Sequence, residues 1–167
     1  GKEIDEIRNY IGQAIQYGRT LTFELSPPIL YDLGLEPAVE WLTEQAGEQN
    51  RIKTECETDG QPKPISDEIR VVLFTAVREL LVNVGKHADA SRAKVTIRRI
   101  DDIISIHVAD DGTGFNASKK SYHIAEARGF GLFSIRERLL SLGGHLDVRS
   151  AVGRGARIIL QAPLKTG

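Results

Sequence analysis

The stretch AKVTIRRIDDIISIHVA, residues 93–109, alternates apolar and polar side chains on both sides of Asp101-Asp102. A period of two marks half-buried strands, and two such runs joined by an Asp-Asp pair read as an antiparallel hairpin. HLDVRS (145–150) and ARIILQA (156–162), around Gly153-Arg154-Gly155, read as a second hairpin. One face of these strands carries Val95, Ile97, Ile104, Ile106, Val108, Leu146 and Val148. The other carries Lys94, Thr96, Arg98, His107, Asp147 and Arg149. A sheet with one wet face takes helices on its dry face only. The expectation is an α+β fold, a two-layer α/β sandwich with a mixed sheet, and not the doubly covered parallel sheet of a dinucleotide-binding domain.

Moving outward, Ser66 is a good N-cap with Asp67 and Glu68 in the first turn, so a helix is predicted from there to about His87. A second helix is predicted over Leu35–Gln49, with Pro37 near its start, followed by a strand in RIKTECE (51–57) with Ile52, Thr54 and Cys56 on one face. A third runs from Gly131 to Leu142 and stops at Gly143-Gly144. Near the beginning, Ile4, Ile7, Ile11, Ala14, Gly18, Leu21 and Leu25 recur at steps of three and four, the seam of a helix that pairs with others. Ser26-Pro27-Pro28 ends that helix, because proline removes a donor and biases its predecessor away from helix.

At 167 residues, 41% hydrophobic and a net charge of -1, the chain has the composition of one globular domain. Near-neutrality gives no general attraction to nucleic acid or anionic lipid, so an anionic ligand needs a local cluster. The single Cys56 excludes an intrachain disulfide and cysteine-rich zinc patterns, and points to a reducing compartment. No apolar run approaches membrane-spanning length. The chain opens at Gly1 inside a helical pattern and contains no methionine, so it reads as a piece of a longer protein.

Three segments carry chemistry. In ELLVNVGKHADASR (79–92), at a hundred degrees per residue, Glu79, Asn83, Lys86 and His87 share one stripe opposite Phe74, Val77, Leu81, Val84 and Ala88. A carboxylate and a carboxamide one turn apart suit a hard cation such as magnesium, and a lysine a turn further suits phosphate. By itself the stripe is also what a solvated helix face looks like. In VADDGTGF (108–115), strand alternation turns Asp110 inward and Asp111 outward, while Gly112 and Gly114 let backbone approach a flat ligand. Alone it is also an ordinary Asp-Gly turn. In RGFGLFSIRERL (128–139), two glycines open a helix whose unpaired N–H groups could face phosphate, or are simply a hinge. Between the last two segments, polar residues 116–128, with Lys119, Lys120 and His123, form either a lid or a plain surface loop.

Taken in this order, the segments resemble the nucleotide-binding domain of the GHKL superfamily, shared by sensor histidine kinases, DNA gyrase B, the ninety-kilodalton heat-shock chaperone and MutL. Glu79 to His87 resembles its N box, residues 110–115 its first glycine box and Gly129 to Leu132 its second. KHA followed by ASR, IRERL after the second glycine box, and LSPPILYDLGLEPAVEWL upstream resemble the NarX-like branch of sensor histidine kinases. The resemblance implies the Bergerat-type ATP-binding fold over 29–167, with residues 1–28 the end of a dimerisation and phosphotransfer hairpin and its linker.

It further implies ATP and Mg2+, with Asn83 and Glu79 as catalytic and metal-binding residues. Lys86 and His87 would contact phosphate or ribose, Asp110 the adenine amino group, Gly112 and Gly114 the base, and Gly129, Gly131 and Leu132 the phosphates and their surroundings. Ala156 stands where the family's GxGT turn often has threonine. The implied activity is a histidine kinase that phosphorylates a histidine on a helix lacking here, so the fragment is expected to bind nucleotide without autophosphorylating. The implied partners are a response regulator and a second copy through the dimerisation domain, in the cytoplasm, with the parent protein free or anchored in the inner membrane; neither nucleic acid nor membrane contact is expected. Rival readings are an ATP-driven clamp, a stand-alone serine kinase acting as an anti-sigma factor, or an interaction module with a vestigial pocket.

Overall fold

The computed structural model describes residues 4, 6, 7, 10–12, 27–117 and 127–165, with backbone only at 127–130. Its elements in chain order are α1 (Pro28–Asp32), α2 (Leu35–Asn50), β1 (Lys53–Thr58), α3 (Asp67–Asn83), a π-helical turn (Val84–Ala88), β2 (Arg92–Ile100), β3 (Ile103–Asp110), α4 (Ala127–Ser141), β4 (His145–Ser150) and β5 (Ala156–Pro163). The strands form one sheet in the order β1-β2-β3-β5-β4. β1 lies parallel to β2 and every other neighbour is antiparallel, so the sheet is mixed as expected.

Both hairpins form where the period-two runs place them. Ile100 faces Ile103 across the Asp101-Asp102 turn, where Asp101 takes φ 52°, a left-handed conformation that aspartate tolerates better than most residues. Ser150 faces Ala156 across the second turn, with Gly153 and Gly155 at φ 79° and 68°. The dry face is buried as the alternation requires: Val95, Ile97, Ile104, Ile106 and Leu160 are fully inaccessible and Val108 nearly so. α2 packs on β1, α3 lies between α2 and α4, and α4 covers β4 and β5, giving two layers around one core. Phe74, Leu73, Val77, Leu80 and Leu81 of α3 supply the centre of that core.

Ser66 caps α3 as its sequence context dictates, its Oγ accepting from the Ile69 amide at 3.2 Å. Below the sheet, Lys63 ties the loop after β1 to α2: its ammonium donates to Glu36 at 2.8 Å, Asp59 at 2.5 Å and the Gln61 carbonyl at 2.8 Å. Thr58 donates to the same Glu36 carboxylate.

Three boundaries differ from the sequence reading. Pro28 opens a short helix, α1, that was not foreseen; its fixed φ suits a first helical position, and Leu30 is completely buried in the core. The helix expected to reach His87 ends as α-helix at Asn83 and continues as the π-turn. α4 is already helical at Ala127, four residues before the expected Gly131, glycine's modest penalty being outweighed by the packing of Leu132, Ile135 and Leu139 downstream. Ile4, Ile7 and Ile11 are helical and exposed. The other seam positions, Ala14, Gly18, Leu21 and Leu25, lie outside the described residues, as do Lys119, Lys120 and His123 of the polar stretch.

Candidate functional site

One end of the sandwich opens where the C-terminal end of α3 meets the end of β3 and the start of β5. Leu80, Asn83, Val84 and His87 form one wall of a cleft there, Asp110, Thr113, Gly114 and Phe115 a second, and Leu132, Ala156 and Ile158 close it. Leu80, Val84, Leu132 and Ile158 are core residues with one side turned to the cleft, so most of its wall is apolar. Asp110 and Asn83 bring polar groups to it. An apolar slot with few polar groups suits a flat heteroaromatic ring held by directional hydrogen bonds.

The π-turn sorts the residues of the N-box stripe. An α-helix would place Lys86 and His87 on either side of Asn83. Hydrogen bonding to the fifth residue widens the turn to roughly 80° per residue, which leaves His87 roughly 40° from Asn83 and carries Lys86 roughly 120° away. His87 accordingly lines the cleft, while Lys86 is exposed and does not. Glu79 lies one turn below Asn83, facing α4: a Cβ built on Gly131 would sit 2.7 Å from Glu79 Oε1. Glycine at that position is what lets the carboxylate and the helix meet.

The loop after β3 is held from two sides. The Thr113 amide donates to the carbonyl of Ala88, the last residue of the π-turn, at 2.7 Å, and a Cβ on Gly112 would overlap that same carbonyl. From the opposite side, Gly153 donates to the Thr113 carbonyl at 2.6 Å, and Phe115 to Ser150 Oγ at 2.9 Å. Ser150 Oγ in turn donates to the Gly155 carbonyl at 2.8 Å. Gly114, at φ 60°, passes so close to the Ala151 carbonyl that no side chain fits. Asp110 Oδ1 accepts from the Gly112 amide at 2.9 Å, which fixes its carboxylate at the cleft.

Asp110 and Asp111 thus do different work, as the alternation anticipated. Asp111 is exposed, and its Oδ1 accepts from the amides of Ser91 and Arg92 at 2.8 Å each, while Oδ2 takes the Ser91 hydroxyl at 2.5 Å. The Ser91 hydroxyl and these amides hold its pKa below the ordinary carboxylate value.

Of the residues proposed from sequence, the fold brings Asn83, His87, Asp110, Gly114 and Leu132 together at one cleft, with Glu79 and Gly131 in contact beside it. Gly112 is buried beneath Ala88 and shapes the loop. Gly129 and Gly131 both lie within α4. Sequence reasoning missed Ser91, Ser150 and Gly155 as parts of the framework, and Phe115 and Ile158 as walls. Only the proximity of SR to the N box hinted at Ser91.

Among the described residues no three His, Cys, Asp or Glu side chains gather into a metal cage. Asn83 and Glu79, two oxygen donors one turn apart at the cleft's edge, would suit a hard cation such as magnesium.

A mixed sheet covered on one face, with an apolar cleft between a helix end and a strand-end carboxylate, defines a nucleotide-binding module of the ATPase and kinase kind. Residues 68–166 match the model of the histidine kinase-, DNA gyrase B-, and HSP90-like ATPases, and the chain belongs to that family. Among curated relatives it is 37% identical over 147 residues to the sensor histidine kinase NarS of Mycobacterium tuberculosis, covering 88% of this chain and 33% of that protein. It is 28% identical over 165 residues to the histidine-protein kinase/phosphatase DegS of Brevibacillus brevis, covering 99% of this chain and 42% of that one. The chain therefore spans well under half the length of these relatives. The fold is that of solved histidine kinase domains: the catalytic domain of ThkA superposes with a TM-score of 0.64 at 19% identity over 80% of this chain and 93% of that one. The blue-light activated histidine kinase of Erythrobacter litoralis gives 0.61 at 20% identity, over 78% and 42%. The expected fold and histidine kinase kinship thus hold.

Proposed function

We propose that the chain is the catalytic part of a two-component sensor histidine kinase, binding Mg-ATP and donating its γ-phosphoryl group to a histidine on a dimerisation domain. In that reading residues 1–28 are the end of the dimerisation hairpin and its linker, and 29–167 the catalytic domain. The observation that carries it is the meeting of Asn83 and His87, Asp110, and Leu132, from three separated segments of the chain, at one apolar cleft.

Asp110 would accept from the adenine amino group, its carboxylate already oriented by the Gly112 amide. Leu80, Val84 and Ile158 would exclude water from the ring faces. Asn83 and Glu79 would hold magnesium, which neutralises charge on the phosphates when bound. His87 would contact ribose or phosphate, and the α4 amides around Gly129 would face the phosphate oxygens. Lys86, directed away from the cleft, would reach phosphate only by extending its side chain over the rim. During transfer the lone pair of an imidazole nitrogen bonds the γ-phosphorus, the bond from phosphorus to the bridging oxygen breaks with its electrons leaving on ADP, and the imidazole ring releases its N–H proton. With no acid or base required of the domain, its contribution is positioning and electrostatics. The parent would act in the cytoplasm as a homodimer and pass the phosphoryl group to a response regulator.

The test is calorimetric titration of Mg-ATP into the wild type, Asn83→Ala and Asp110→Asn, followed by labelled-phosphate transfer to a histidine-bearing hairpin supplied separately. Loss of measurable binding in Asp110→Asn, and loss of magnesium dependence in Asn83→Ala, are the expected results. Wild-type affinity in both variants overturns the assignment.

A further inference from the structure

The side of the sheet on which no helix of the described residues packs has a charge pattern that the fold does not require. Two adjacent rows of side chains lie beside a third made of Arg98, Ser105, Gln161 and His145. Thr96, His107, Ile159 and Asp147 stand in one register, and Lys94, Ala109, Arg157 and Arg149 in the next. Thr96, His107 and Ile159 are half-buried, so the middle of the face is mostly uncharged, and Ala109 leaves a notch between the longer Lys94 and Arg157. His107 bonds Ser105 Oγ at 3.2 Å and is held below its ordinary pKa by burial and by Arg157, Arg98 and Arg149.

Around this centre lie Arg98, Arg149 and Arg157, all exposed. Arg149 and Arg157 are direct cross-strand partners, and like charges so placed oppose sheet formation. Arg149 is offset in part by Asp147 at 2.8 Å, and Lys94 by Glu57 at 2.6 Å and Glu55 at 3.5 Å. Arg98 and Arg157 make no ion pair among the described residues. A near-neutral chain thus keeps on one face Arg98 and Arg157 with no ion pair within 4 Å among the described residues, the second of them directly opposite Arg149.

We propose that this face docks an acidic protein surface, one that sets carboxylates around a small apolar centre. Three features select that partner. Strand spacing and residue rise put Arg98 and Arg157 roughly 15 Å apart, too far for one small anion to bridge. Glu55, Glu57 and Asp147 on the same face repel a uniform run of phosphates, which disfavours nucleic acid. An uncharged middle inside an arginine rim is the composition of a protein-protein interface.

The experiment uses the whole 167-residue chain and a labelled acidic peptide with Asp and Glu residues flanking a Leu-Phe centre. Amide shifts on titration should map to Thr96, His107, Ala109 and Ile159. The double variant Arg98→Glu/Arg157→Glu should weaken binding about tenfold or more, while Arg136→Glu/Arg138→Glu, an equal charge change on the exposed side of α4, should alter it by less than about twofold. Retained Mg-ATP affinity or an unchanged unfolding temperature reports that the variants are folded. Equal weakening in both variants, shifts mapping elsewhere, no saturable shift, or tighter binding of an oligonucleotide of equal charge at this face each overturns the proposal.

Discussion

The carboxylate of Asp111 holds Ser91 twice, through its amide at 2.8 Å and its hydroxyl at 2.5 Å, and with Arg92 it fastens the segment after the π-turn to the end of β3. Two walls of the cleft are thereby set in register by a residue that does not line it.

Asp111→Ala should therefore weaken Mg-ATP binding several-fold without removing any group that touches the ligand. Asp111→Asn keeps an Oδ1 acceptor for both amides and loses the charge and the acceptor of the Ser91 hydroxyl, so it should fall between Asp111→Ala and wild type. Calorimetric titration measures both; an affinity equal to wild type in Asp111→Ala would mean the cleft is registered by the Thr113–Ala88 bond alone.

Gly112→Ala and Gly131→Ala should separate stability from binding. At Gly112 the added carbon meets a backbone carbonyl that cannot yield, costing about 1–3 kcal/mol as overpacking does. At Gly131 it meets only the end of the Glu79 side chain, which can rotate, so thermal stability should change little. The magnesium dependence of ATP binding should nonetheless shift in Gly131→Ala. Chemical denaturation and magnesium titrations distinguish the two.

The Lys63 cluster predicts an acid-sensitive contribution to stability. The Lys63 ammonium, with the Arg99 and Gln61 amides, lowers the pKa of Asp59 from 3.8 to about 2. A carboxylate with a depressed folded-state pKa stabilises above its unfolded value, and that contribution disappears as pH falls through the folded one. The gap in melting temperature between wild type and Asp59→Asn should thus be full above pH 4 and close as pH approaches 2. A gap independent of pH over that range would contradict the linkage.

Cys56 faces α2 on the inner side of β1, where burial and then Glu40 push its pKa up to about 11. Since thiolate is the reactive form, iodoacetamide at pH 8 should modify the folded chain at least about tenfold more slowly than the same chain in denaturant. Mass spectrometry of the alkylated protein follows both rates, and equal rates would place the thiol in solvent.

The alternation in residues 93–109 and 145–162 was enough to read the hairpins and the single dry face, because side-chain direction along a strand depends only on parity. The same parity separated Asp110 from Asp111. Helical spacing identified the stripe of Glu79 and Asn83 but not the fate of Lys86, since a change from α to π geometry depends on how the turn meets Ala88, Thr113 and Gly112.

What the sequence determined by itself was local: the strand faces, the capped start of α3 and the three segments proposed to hold a nucleotide. What only the tertiary structure decided was relative placement. Ser91 with Asp111, Thr113 with Ala88, and Glu79 with Gly131 are pairs far apart along the chain, and whether they meet depends on how the elements pack, so no local periodicity encodes them.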